Sequence, residues 1–206
     1  MTTKLSLFSF VPFDRSARVR WLAHELGITI DEHKLDFAGG EHRRETHLAR
    51  HPFGLVPAVE IDGQWRWESV AICQSLAEQR PEAGLTVPMA SPDRPQYLSW
   101  LFFAASTFDS ATFLVFRYAA LAPDEALCKE AQAALMPLLI RLARHLEKND
   151  YLLGDRFTLP DIVLGHAIQL LYLTRAIDDI PTLLQYRKRL AVRPAAKQAG
   201  VFTPRP

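Results

Sequence analysis

Position 57 is a proline on the threshold of a short apolar run, Val56, Ala58, Val59 and Ile61. Proline cannot donate to a sheet ladder, so the run has to begin a strand there or lie at a sheet edge. An X-Pro bond is also the one peptide bond that turns cis at low cost, about 0.5 to 1 kcal/mol. A cis Val56-Pro57 bond would aim the amide and carbonyl of Val56 sideways into a cleft, where a second peptide can pair with them. Around this proline, residues 40–69 (GEHRRETHLARHPFGLVPAVEIDGQWRWES) compress a helix start, a tight loop, two short strands and a second helix start.

That second start is Glu68-Ser69, which follows the Asp62-Gly63 hairpin turn and opens the helical pattern Val70, Ile72, Cys73, Leu76 and Ala77. The serine hydroxyl, the free N–H groups of a first turn and the positive end of the dipole suit a carboxylate, while a glutamate suits an amine. Amine plus carboxylate is an amino-acid head group. His42 and Arg43, upstream of the proline, can meet a second carboxylate. Alone, Glu68-Ser69 is an ordinary helix start; its spacing from Val56-Pro57 favours a small peptide ligand with an amino-acid end, a middle amide and an acidic end.

The first eighty residues alternate strand and helix patterns. Residues 4–10 (KLSLFSF) read as a strand, 15–26 as a helix with Asp14 as its cap and Gly27 as its stop, and 28–35 as a second strand. A helix over 41–50, strands over 58–61 and 64–67, and a helix over 70–79 follow. This order predicts a thioredoxin-like α/β domain over 1–80, with its first two strands parallel neighbours and the late hairpin antiparallel. Residues 81–95 carry four prolines and no periodicity and read as a linker. From 96 to 206 no segment reads as a strand. Long helices are expected over 96–121 and 124–148, the latter kinked at Pro137. Thr158, with Asp161 three residues on, is a capping box, and Phe157 can staple to Ile162. The helix after it, 162–174, is apolar on nearly every side and should be the core of an all-helical bundle.

The string GEHRRE…HPFGLVPAVE…ES resembles the glutathione transferases, most of all the phi-type and related bacterial members, and the 158–162 capping box resembles that of their buried core helix. The resemblance implies that Glu68 and Ser69 bind the γ-glutamyl end of glutathione and that Val56, before cis-Pro57, pairs with its cysteinyl backbone. It implies that His42 and Arg43 hold the glycyl carboxylate. Two residues depart from the family pattern: His51 stands for the usual Asn, and Leu55 for a Gln that contacts glutathione. Phe53 resembles the aromatic that inserts into a partner subunit of a homodimer; a buried loop anchor is the other reading.

A thiol of pKa about 8.5 is only about 3% thiolate at pH 7, so such an enzyme has to lower that value. Family members do so from the loop after the first strand. Aligned on Ala17-Arg18-Val19, the family pattern puts Phe13 where a serine usually stands, and phenylalanine donates no hydrogen bond. Ser16 in the first turn of helix one, Ser9, and Arg15 as a charge are the remaining candidates, beside backbone N–H groups alone. Ser16 is otherwise a plain helix start and Ser9 a solvent-facing strand residue. On the first long helix of the bundle, Phe103, Ser106, Thr107, Phe113 and Arg117 are expected to line an apolar cleft for a hydrophobic electrophile.

Charge and composition exclude other classes. With 24 basic and 23 acidic residues the net charge is +1, which offers no field for nucleic acid or an anionic membrane. No uninterrupted apolar run approaches membrane length, and Met1-Thr2-Thr3-Lys4 has no leader core, so a cytoplasmic location is expected. Cys73 and Cys128 lie in separate helical patterns and read as small hydrophobes rather than a disulfide. His47 and His51 are four apart, but with no third ligand in view a solvated face is the simpler reading, and no metal is expected. The expected function is thus a detoxifying glutathione transferase acting as a homodimer, with glutathione as cosubstrate. The alternatives are a thiol-dependent peroxidase, isomerase or dehalogenase on the same scaffold, or a glutathione-binding or partner-recruiting protein without catalysis.

Overall fold

The computed structural model describes residues 4–205, so the expectation about the leader falls mostly on residues outside those described. In chain order the elements are β1 (Lys4–Ser9), α1 (Ser16–Glu25), β2 (Thr29–Lys34), α2 (Glu45–Leu48), β3 (Ala58–Ile61), β4 (Gln64–Trp67) and α3 (Ser69–Glu78). Then come α4 (Arg94–Phe102), α5 (Asp109–Phe116), α6 (Glu125–Leu146), α7 (Leu159–Leu173), α8 (Pro181–Ala191) and α9 (Pro194–Gln198). They form two compact units: residues 4–83 with 194–201, and residues 84–193 with 202–205.

In the first unit the sheet order is β2-β1-β3-β4. β1 and β2 are parallel, from Lys4 opposite Thr29 to Ser9 opposite Lys34, and β3 runs antiparallel to both β1 and β4. This is the predicted thioredoxin-like topology. Alternation sends Leu5 and Leu7 to one face, while Phe8 points to the other. There its ring stacks on His33 at 4.8 Å, meets Trp65 edge-on at 5.6 Å and carries the Arg50 guanidinium 4.3 Å above it. α1 and α3 pack against each other, with Val19, Leu22, Ile72 and Leu76 buried.

Two boundaries differ from expectation. The helix predicted over 41–50 is instead a 3₁₀ turn, Glu41–Arg43, and the single turn α2, separated by Arg44 in an extended conformation (ψ 148°). The extended residue re-aims the chain so that His42 and His47 are both buried. The second difference is that α9, although it lies in the 96–206 stretch that reads as the helical domain, belongs to the first unit, packed on α1 with Ala195 and Ala196 buried. Two small side chains permit that close approach, and Arg20 Nε donates to the Ala199 carbonyl at 3.1 Å.

The second unit is helical. α4 and α5 belong to one 28-residue helix, Arg94–Leu121, widened into π turns at Phe103–Phe108 and Arg117–Leu121. By length and composition alone this helix could cross a bilayer, but Leu101, Ala104, Phe108, Val115 and Phe116 are buried and α5 packs on α7. α6 runs through Pro137 as one unbroken helix, with the proline on its exposed side. The linker is not loose: Leu85 and Val87 are buried, the Leu85 carbonyl accepts the Leu159 amide at 2.8 Å, and Arg94 Nη1 donates to the Val87 carbonyl at 2.6 Å. α7 is buried continuously from Leu159 to Leu171, as its all-round apolarity predicts.

The capping box at its start is complete. The Asp161 carboxylate accepts the Thr158 amide at 2.9 Å and hydroxyl at 3.2 Å, and also the Leu152 amide at 2.9 Å and the Tyr186 hydroxyl at 2.8 Å. Burial nevertheless pushes this carboxyl up to about 6, against the pull of those four donors.

Candidate functional site

The Val56-Pro57 bond is cis, and β3 begins at the next residue. Among the described residues none hydrogen-bonds the amide or carbonyl of Val56, which is half-buried. The loop that delivers it is tightly held. Gly54 has φ 62°, and a Cβ there would come within 2.6 Å of the His42 carbonyl, so only glycine fits the close approach of loop to 3₁₀ turn. His47 Nε2 donates to the Leu55 carbonyl at 2.9 Å, and the Phe53 amide donates to His51 Nδ1 at 3.3 Å.

His47 and His51 are therefore not on a solvated face: they are 1% and 2% exposed, their rings 6.4 Å apart. Each turns inward because a loop backbone needs its ring nitrogen. Burial, with the neighbouring His47, holds the His51 imidazole below its ordinary value. Among the described residues no group of three His, Cys, Asp or Glu could hold a metal ion. Leu55 is exposed, and so is Phe53 at 69%, which rules out the buried-anchor reading. The Phe53 ring instead meets the exposed Trp67 edge-on at 5.7 Å.

Across the hairpin, Glu68 is exposed and sits at φ 68°, ψ 107°, a sparsely populated conformation for a residue with a side chain. α3 starts there without a side-chain cap, so the donors of its first turn have no partner within the helix. Ser69 is buried, and its hydroxyl accepts from Arg18 Nη1 at 3.4 Å. Sequence reasoning missed Arg18; the signal was an arginine among the apolar Ala17, Val19, Trp21 and Leu22 of α1. Near it, burial pushes the Cys73 thiol up to about 12 against the opposing pull of Arg18, so this cysteine stays protonated and inert.

His42 is buried, its ring stacked under the exposed Phe37 at 4.7 Å and edge-on to Phe10 at 5.5 Å, while its Nε2 accepts from Arg43 Nε at 3.2 Å. Its Nδ1 is buried without a hydrogen-bond partner. Arg43 is exposed.

The thiol candidates fare differently. Ser9 and Ser16 are both fully buried: the Ser9 hydroxyl donates to Glu32 at 2.7 Å and the Ser16 hydroxyl to the Phe8 carbonyl at 3.3 Å. Ser9 is thus no solvent-facing residue, and each hydroxyl proton is already engaged within the fold. Phe13 is 38% exposed and Arg15 half-buried, on a loop organised by the Asp14 carboxylate. That carboxylate accepts the amides of Phe10, Val11 and Ser16 at 2.7, 2.9 and 2.7 Å.

In the second unit Ser106, Thr107 and Arg117 are exposed, while Phe103 and Phe113 are half-buried. The Ser106 hydroxyl donates back to the Phe102 carbonyl at 2.7 Å. Phe103, with Trp100, Leu138 and Leu142, lines an apolar groove of about 310 Å³ that the other four do not line.

A parallel-antiparallel sheet with a cis-proline at the start of β3, followed in the chain by a helical domain, defines a protein of thioredoxin-like fold with a helical second domain. The comparisons agree: residues 3–78 match the model for the glutathione S-transferase N-terminal domain, and residues 93–194 that for the C-terminal domain. Glutathione S-transferase F9 of Arabidopsis thaliana is 32% identical over 146 residues, 67% of each chain. The crystal structure of a glutathione transferase from Methylococcus capsulatus is 27% identical with a TM-score of 0.82, covering 95% of this chain and 96% of that one. The fold is shared too with a transferase of Phanerochaete chrysosporium solved with oxidized glutathione, at 23% identity and a TM-score of 0.84 over 97% and 98% of the chains. The chain belongs to the glutathione S-transferase family and is an enzyme of that transferase type.

Proposed function

We propose that the protein conjugates the thiolate of glutathione to a hydrophobic electrophile. The observation that carries this reading is the unpaired main chain of Val56 before cis-Pro57, in the same small unit as the uncapped helix start at Glu68-Ser69. Val56 pairs with the cysteinyl backbone, Glu68 takes the γ-glutamyl amine and Ser69 its carboxylate, and His42 and Arg43 meet the glycyl carboxylate. The family match and the oxidized glutathione bound to the Phanerochaete chrysosporium transferase support the ligand. Because the hydroxyls of Ser9 and Ser16 and the first-turn amides of α1 are already engaged, the thiolate is stabilised by the positive end of the α1 dipole and the charge of Arg15, beside Phe13. Lowering a thiol pKa by about 2 units needs roughly 2.7 kcal/mol of differential stabilisation. Phe103, Ser106, Thr107, Phe113 and Arg117 contribute to binding the electrophile, and the exposed Phe53 inserts into a second copy of the chain.

Phe13 and the two buried serines favour one second reading, glutathione binding without conjugation. Calorimetric titration with glutathione and turnover of a chromogenic aryl halide separate the two. Binding with turnover supports the conjugating enzyme, binding without turnover of several electrophiles supports the binder, and absence of both rejects the glutathione site.

A further inference from the structure

We propose that Arg20 is a positioning residue that lets the segment 194–201 hold the loop between β1 and α1 in its working shape; this rests on the glutathione reading above. Arg20 is buried on α1, and its planar fork reaches three separate stretches of chain. Nη2 donates to the Pro12 carbonyl at 2.7 Å, Nη1 to Glu32 Oε1 at 2.5 Å, and Nε to the Ala199 carbonyl at 3.1 Å. The same Glu32 oxygen accepts the Ser9 hydroxyl at 2.7 Å. One cation thus ties the end of β1, the loop after it, β2 and the returning C-terminal segment.

Charge is a poor way to gain stability at this position. Replacing a buried ion pair by apolar side chains of similar size is often neutral or stabilising, so an arginine at a buried helix position is a costly way to fill space. What it supplies is direction. Asp14 closes the loop on itself by taking the amides of Phe10, Val11 and Ser16, and Arg20 fastens the middle of that loop, next to Phe13, to β2 and to the 194–201 segment. Ser69 is held by Arg18, and Val56 and Glu68 flank the paired β3–β4 hairpin, none of which Arg20 bonds, so glutathione can bind while its sulfur is misplaced. A misplacement of about 1 Å is enough to slow a reaction roughly a hundredfold.

The test uses the full-length chain with glutathione and a chromogenic aryl halide, comparing wild type with Arg20→Ala and Glu32→Gln. Arg20→Ala is expected to lower kcat about tenfold while the glutathione Kd stays within about threefold. Amide exchange should quicken together in 10–16 and 197–201. Glu32→Gln keeps both carbonyl contacts and should lower kcat less than about threefold. A folded Arg20→Ala protein with wild-type kcat, or with faster exchange in one segment alone, overturns the proposal. If Arg20→Ala does not fold, Arg20→Lys replaces it: one ammonium cannot span both carbonyls, so unchanged kcat and unchanged exchange overturn the proposal equally. Should the wild type itself neither bind nor turn over glutathione, the glutathione reading fails and the inference with it, a failure visible before any variant is made.

Discussion

Two helix starts in this molecule carry the same kinds of residue and end in opposite states. At α7, Thr158 and Asp161 satisfy each other, and Asp161 further takes the Leu152 amide and the Tyr186 hydroxyl, all of it buried. At α3, Glu68 is exposed in a rare backbone conformation, no side chain caps the first turn, and the nearby Val56 main chain is unpaired. A polar helix start whose donors are internally satisfied builds the fold. One left open beside an unpaired main chain keeps donors available to a ligand.

The comparison breaks most visibly at Asp161. Asp161→Ala should destabilise the second unit by about 3 kcal/mol or more, because it leaves several buried donors unpaired; urea denaturation reads this directly. The pH dependence follows from the same carboxyl. It is pushed up to about 6 in the folded protein, against about 3.9 in an unfolded chain. The unfolded state therefore loses its proton first as pH rises, and this group's stability is full below about pH 4 and falls away through pH 6, by roughly 3 kcal/mol in all. Denaturation curves of Asp161→Asn should lack that slope.

At the open helix start the expected pattern inverts. Glu68→Ala or Ser69→Ala should cost glutathione affinity about ten- to a hundredfold, roughly 1.4 to 2.8 kcal/mol. Stability should change by less than about 1 kcal/mol at the exposed Glu68, which alanine relieves of no buried contact. Calorimetry beside denaturation tests both halves. A stability loss at Glu68 matching that at Asp161 would erase the distinction between the two helix starts. The smallest effect belongs to His51, whose imidazole is held below its ordinary value by burial. Its neutral form is favoured on folding, so its contribution is present above about pH 6.5 and lost as pH falls through the lower folded value. His51→Asn should flatten the stability curve slightly on the acid side.

Features decided by local chemistry were legible in the sequence. The parallel β1–β2 pair, the β3–β4 hairpin, the 158–161 capping box and the fully buried α7 follow from local patterns, and the cis Val56-Pro57 bond from the family resemblance. What stayed hidden depends on partners far along the chain. Arg18 meets Ser69 across 51 positions, and Arg20 meets Ala199 across 179. His47 and His51 look like a polar helix face until Arg44 breaks the helix and the 51–55 loop folds back over them. Ser9 and Ser16 stand by position as candidate thiol partners, and only the packing of β1, β2 and α1 shows their hydroxyls already engaged.

A crystal structure of the protein soaked with glutathione tests the central claim most directly. The cysteinyl main chain of the tripeptide is predicted to pair with both the amide and the carbonyl of Val56 at about 2.9 Å, with the γ-glutamyl end at Glu68 and Ser69. Glutathione bound elsewhere, with the Val56 main chain still unpaired, would contradict it.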